Sequence, residues 1–400
     1  MKCIVAILCI VMTRAGFAMG AIDSISLPLQ GYCHVGRFMP ARAQHTSEVR
    51  GQGILPVICA DGFGDAVVPV MVVSESASIA GAGPLAVSGT DQKLIGIAGS
   101  ASADDAKRIF GDAIVVPIEI PLRGPPMAWE TLDGIVIAGR DLPDEATIGT
   151  LLAAGVTLTV KSQSRPSSNW PWQKRDDGWW MLKYEPLGPR ENSPDASNFL
   201  AAWSPGVPAS DRRNAVVLGV IFAILALAAS LRRGTSAIWT LGIVAIGSVL
   251  AIGLWINGRS ASRAAGGAIE VVNPPLRQID IWTLRSAKRA ATLSSRISGL
   301  TWPMIDTAQI AKTNLTLECD RDGHPIHFRW DAQSHEKIAF LSRRVEVSDA
   351  PIKLTAHRQS PLRQIVADAY QNATILGEAD DGAMDNNCPS QRWPTVFIKP

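Results

Sequence analysis

The side chains best suited to chemistry are few and scattered. Of six cysteines, Cys3 and Cys9 lie in an apolar stretch at the start, leaving Cys33, Cys59, Cys319 and Cys388. No two of these have the two-to-four-residue spacing of a zinc knuckle. Disulfides are therefore expected, most locally Cys33–Cys59 and Cys319–Cys388, although four cysteines allow three pairings and buried free thiols are the alternative. The one histidine cluster is His324-x-x-His327 with His335. Zinc needs three or four converging ligands, and strand positions three apart face opposite ways, so this cluster reads as structural. Asp61 and Asp65 flank Gly62-Phe63-Gly64 as turn residues, without the repeated oxygen ligands of a calcium loop. Neither a metal nor a cofactor is expected, and the zincin, hydrolase-elbow, P-loop and dinucleotide fingerprints are absent from the sequence. The densest aromatic patch holds Trp170, Trp172, Trp179 and Trp180, with Lys174, Arg175, Asp176 and Asp177 between them. It is a candidate partner-binding loop that would stack on carbohydrate or peptide, the alternative being a hairpin that packs its own indoles.

Behind that loop, alternating strands and helices are expected. Leu94-Ile95-Gly96-Ile97-Ala98 reads as a buried strand. Ser102 with Asp105 is a capping-box pair opening a helix. Residues 113–120 form a second strand and 134–138 a third, preceded by Trp129-Glu130-Thr131-Leu132-Asp133. Pro143-Asp144-Glu145 opens a helix through Ala153, Gly155 ends it, and residues 156–160 form a fourth strand. Continuous apolar strands alternating with helices predict a parallel sheet covered on both faces.

The runs Trp129-x-x-Leu132-Asp133-Gly134-Ile135-Val136-Ile137 and Leu151-x-x-Ala154-Gly155-Val156-Thr157-Leu158-Thr159-Val160 resemble the class I glutamine amidotransferase-like (flavodoxin-like) domain. More narrowly, the chain resembles membrane-anchored bacterial proteins carrying a degenerate copy of that domain. The resemblance implies association with a von Willebrand-type and AAA-ATPase membrane system. Active members use a thiolate on a tight turn and a later histidine. Residues 92–213 contain neither Cys nor His. After the fourth strand the chain reads Lys161-Ser162-Gln163-Ser164-Arg165, without flanking glycines. A non-enzymatic role in binding or assembly is expected, the alternative being an envelope hydrolase with Ser162 or Ser164 as a substituted nucleophile.

The rest of the chain frames that domain. Lys2, an apolar stretch and Ala18-Met19-Gly20 read as a signal peptide over residues 1–20. Residues 21–91 predict a β-sandwich-like module, 92–185 the α/β domain and 186–213 a linker rich in Pro, Gly and Ser. Residues 215–231 and 237–256 are apolar runs separated by Arg232-Arg233-Gly234-Thr235-Ser236. Each is close to the ~20 residues that span a bilayer, so 214–256 predicts a two-helix transmembrane hairpin. Residues 257–267 read as a spacer, and 268–400 as a β-rich extracytoplasmic domain with short, turn-separated strands. The expected fold class is thus multidomain: a flavodoxin-like parallel sheet flanked by β-sandwich modules, with a transmembrane helical hairpin. The expected location is the bacterial inner membrane with both large regions on its outer side. The expected partners are the lipid bilayer and other membrane or envelope proteins. Nucleic acid is not expected, because 38 basic and 36 acidic side chains leave a net charge of only +2.

Overall fold

A computed structural model describes residues 24–88, 92–166, 169–189, 262–287, 290–304, 313–355, 359–370, 372–380 and 391–400, together with Ile224 and Gly247 alone. Four strands form the parallel part of a six-stranded sheet in the order Ala113–Pro117, Lys93–Gly99, Gly134–Ala138, Thr157–Lys161. The chain then returns antiparallel through Trp179–Leu182 and Gln173–Lys174. All five residues of Gly134–Ala138 are buried, as a central strand covered on both faces requires. The helix Ala103–Phe110 begins with the capping box of Ser102 and Asp105. The helix Glu145–Ala153 is capped by the Asp144 side chain, and Gly155 leaves it at φ 73°. That positive φ favours glycine.

The C-terminal half builds a larger sheet. Ser262–Asn273 and Leu276–Ala287 form a hairpin of twelve paired residues on each side. Lys337–Val347 continues it antiparallel, followed by Leu300–Pro303. On the other edge Thr395–Lys399 pairs parallel with Ser262–Asn273, and Thr374–Ala379 closes the edge. The helix Glu145–Ala153 rests against Lys337–Val347. Gly149 makes this approach possible, since a Cβ there would meet the Val345 carbonyl oxygen at 2.7 Å.

The expected division into separate modules is overturned. A five-stranded sheet runs Ala291–Arg296, Pro325–Ala332, Leu315–Cys319, Val57–Ile58, Glu48–Val49. The chain's beginning therefore pairs directly with its last third, Val57 opposite Leu317 and Ile58 opposite Glu318 in parallel. One hydrophobic core contains Leu29, Phe38, Ile135, Leu151, Trp282, Phe340 and Ile398 alike. Strands that complete one another's sheets cannot bury their faces as independent sandwiches. The expected spacer is also partly strand, because Ser262–Asn273 begins within it. The expected linker begins with residues 186–189 pinned to the body, Leu187 being held on both backbone groups by Gln278.

The transmembrane expectation is likewise corrected. Among the described residues no helix is long and apolar enough to cross a membrane, and no transmembrane hairpin forms part of the described fold. The α-helices described whole have eight or nine residues. Nine residues make about 14 Å at helical rise, under half the ~30 Å hydrocarbon thickness. The apolar residues described here serve mainly strands and the core between sheets. Residues 214–256 lie outside the described residues apart from Ile224 and Gly247.

Candidate functional site

Three polar arrangements organise the body. The first is Trp129-Glu130-Thr131-Leu132-Asp133, the turn entering the strand Gly134–Ala138. Glu130, 3% exposed, accepts the Phe38 N–H at 3.1 Å and the Trp302 indole N–H at 2.7 Å. One carboxylate thus joins residues 38, 130 and 302. Thr131 accepts the His34 N–H at 2.8 Å, and its own N–H donates to the Phe38 carbonyl. Asp133 faces Arg37 at 2.9 Å and His34 at 3.0 Å, and accepts the Leu94 N–H at 2.8 Å. Burial raises the Asp133 carboxyl. The His34 hydrogen bond, the Arg37 charge and the Leu94 N–H outweigh it and hold the group at about 2.

The second arrangement lies under the C-terminal sheet. Asp280 and Arg343 form a doubly hydrogen-bonded pair at 2.8 and 2.7 Å, with both side chains 0% exposed. Asp280 also accepts Tyr370 O–H at 2.6 Å and a Gln278 amide N–H at 2.9 Å. Trp282 donates to the Tyr370 oxygen at 3.2 Å. Gln278 binds Leu187 as a strand would, accepting its N–H at 3.0 Å and donating to its carbonyl at 2.7 Å. Arg343 adds a bond to the Leu187 carbonyl, while its guanidinium lies 5.6 Å over the Trp302 ring. Burial pulls the Arg343 guanidinium down, but the Asp280 charge beside it wins and holds it above its ordinary value. Burial, reinforced by Asp280, pushes the Tyr370 hydroxyl well up. Both groups keep their protons at neutral pH, so this network is fixed structure.

The third arrangement is an open cleft of about 800 Å³ at the carboxyl ends of the strands Gly134–Ala138 and Thr157–Lys161. Carboxyl ends of parallel strands are where ligands meet such sheets. Arg140, Asp141, Lys161, Ser162, Ser164 and Arg165 line it with both charge signs. Asp144, also in the lining, is committed to its cap. Its carboxylate accepts Thr147 N–H and O–H at 2.8 Å each, and the backbone N–H holds it below the usual carboxylate range against some burial. Arg165 donates to the Trp170 carbonyl at 2.9 Å. Ser162 is held through its backbone, its N–H on the Gly178 carbonyl and its carbonyl under the Trp180 indole N–H. No histidine stands in this part of the sequence to activate Ser162 or Ser164.

The indoles predicted to form a stacking loop are mostly turned inward. Trp170, Trp172 and Trp179 are 4, 6 and 2% exposed, and Trp180 is half-buried. Trp170 packs on Gly149, and Lys161 lies 5.5 Å over the Trp179 ring. The alternation that pairs Trp179–Leu182 with Thr157–Lys161 sends Trp179 and Trp180 to opposite faces. Three of the four rings thus act as core, which corrects their reading as an exposed binding surface.

Cys33, Cys59 and Cys319 carry free thiols, all buried, and Cys388 lies outside the described residues. The expected Cys33–Cys59 bridge is not formed. Cys33 stands opposite Val87 in one small sheet, whereas Cys59 directly follows Val57–Ile58, a strand of the sheet that contains Cys319. Burial pushes the Cys33 thiol up to about 12. His327 pairs with Glu318, and the backbone N–H of His324 donates to Asp320 at 2.8 Å. Among the described residues no three His, Cys, Asp or Glu side chains gather to hold a metal ion. Asp65 is held well below the usual carboxylate range by the hydrogen bonds of Arg42 and Gln44.

The residues that organise the body, Glu130, Asp133, Asp280, Arg343 and Tyr370, were not singled out from sequence. One signal was present. Gln278 and Asp280 share the two-residue phase of Leu276, Trp282 and Leu284, so polar groups occupy a strand's inward face. Compared with protein-family models, curated proteins and solved structures, the chain matches none.

Proposed function

We propose that this protein is a non-enzymatic binding or assembly protein of the cell envelope, and that its partner docks in the cleft between residues 139–145 and 160–166. The observation that carries the reading is the cleft itself: open, lined by Arg140, Lys161 and Arg165 beside Asp141, and set at the carboxyl ends of two interior strands. Residues 92–213 hold no histidine to activate its serines, while charges of both signs fit a polar protein surface. That the described residues up to 189 and from 262 share one core supports placing both on the same side of a membrane.

A photo-crosslinking amino acid placed at Arg140 or Ser164, with Arg344 on the larger sheet as control, tests the reading in native cells. The expected result is a discrete adduct from the two cleft positions, absent at Arg344 and lost when Lys161→Glu is added. Equal labelling at all three positions, or labelling that survives the charge reversal, contradicts it.

A further inference from the structure

The strands Val57–Ile58 and Leu315–Cys319 run parallel, with Val57 opposite Leu317 and Ile58 opposite Glu318. The next residue in each chain segment is a cysteine, Cys59 just past the end of one strand and Cys319 the last residue of the other. Side chains alternate along a strand, so Cys59 follows Val57 and Cys319 follows Leu317 to one face. That face is the buried one: Val57 and Leu317 are 0% exposed and both cysteines 3%. Adjacent strands lie about 4.8 Å apart, inside the range of Cα separations, about 4.4–6.8 Å, that a disulfide bridges. On its other side, the register of Leu315–Cys319 against Pro325–Ala332 shifts between Glu318 and Cys319. Burial, then the Asp320 charge, and lastly the neighbouring Cys59 raise the Cys319 thiol, which places Cys59 close by.

We propose that Cys59 and Cys319 are a redox pair that closes to an intramolecular disulfide when the chain folds in an oxidising compartment, tying the first sixty residues to the last third. Because both sulfurs are buried in the folded body, the bond forms during folding, with a disulfide of a protein oxidant or of oxidised glutathione as oxidant. One thiol, deprotonated, attacks a sulfur of that disulfide, releasing one thiolate and leaving a mixed disulfide. The second, deprotonated, attacks the first cysteine's sulfur, forming the Cys59–Cys319 bond and releasing the oxidant's other thiolate. Two electrons pass to the oxidant, and the two protons pass through solvent to its thiolates. This pairing differs from the local one expected from spacing and does not depend on the cleft.

The test is made on the full chain refolded in an oxidised/reduced glutathione buffer. After acid quench, alkylation in denaturant and digestion, the expected product is one cross-linked peptide joining Cys59 to Cys319, split by reductant. A second readout uses a protease site introduced within residues 190–200. After cleavage, the two pieces should run as one band on a denaturing gel without reductant and as two with it. Alkylated thiols at Cys59 and Cys319, or a bridge from either to another cysteine, overturns the proposal. Both readouts use the native cysteines, so neither depends on a cysteine variant that fails to fold.

Discussion

Asp280→Asn should be among the most damaging single changes in the molecule. The Asp280 carboxylate receives Arg343 Nε on one oxygen, and Arg343 Nη2, Gln278 Nε2 and Tyr370 O–H on the other. Asparagine keeps the size but points an NH₂ at donors whichever way it turns. It also leaves a guanidinium that is 0% exposed without a counter-charge. Removing one partner of a buried pair costs about 3–5 kcal/mol, because the other charge stays buried. With a urea slope of about 2–3 kcal/mol/M, the unfolding midpoint should fall by about 1–2.5 M. Intrinsic fluorescence suits the assay, since Trp282 and Trp302 border the network. Replacing both partners, Asp280→Asn with Arg343→Met, should cost less than the two single changes together, by more than about 1 kcal/mol. A loss below about 1 kcal/mol for Asp280→Asn, or strict additivity in the double variant, would refute the reasoning.

Asp133 and Gly149 each carry a further prediction. Asp133 is depressed from the ordinary carboxylate value to about 2 by His34, Arg37 and the Leu94 N–H. Its stabilisation, about 2 kcal/mol, is therefore fully present above about pH 4 and is lost as pH falls from there through about 2. Urea unfolding of Asp133→Asn between pH 2 and 6 should show that part of the pH dependence gone. Gly149→Ala should destabilise by about 1–3 kcal/mol, the usual cost of overpacking, since its Cβ would meet the Val345 carbonyl. Thermal unfolding reads this directly, and an unchanged midpoint would deny the close contact between helix and sheet.

Local features of the fold were legible because their causes are local. Ser102 and Asp105 satisfy one another's backbone, and Asp144 caps the helix after Pro143, within a few residues. The four apolar strands were visible because strands buried on both faces leave continuous runs. What joins them was not legible. Val57–Ile58 finds its neighbour in Leu315–Cys319, across most of the chain, and no local pattern encodes such a pairing. Glu130 reads as an ordinary polar residue until Phe38 and Trp302 stand beside it. The indoles of Trp170, Trp172 and Trp179 illustrate the same limit. Composition marked the patch, but the partners that cover its rings come from other elements, Gly149 against Trp170 and Lys161 over Trp179. The nearest-neighbour rule also misled for the cysteines, because sheet register brings Cys59 toward Cys319 and leaves Cys33 in a different sheet.

The described residues up to 189 and from 262 form one body. Cleaving the full chain at a protease site placed within residues 190–200, then running native gel filtration in the presence of reductant, tests it most directly. One core and one shared five-stranded sheet predict that the two pieces co-elute at the mass of the uncut chain and unfold in a single transition. Two separately eluting pieces, each folded, would contradict it.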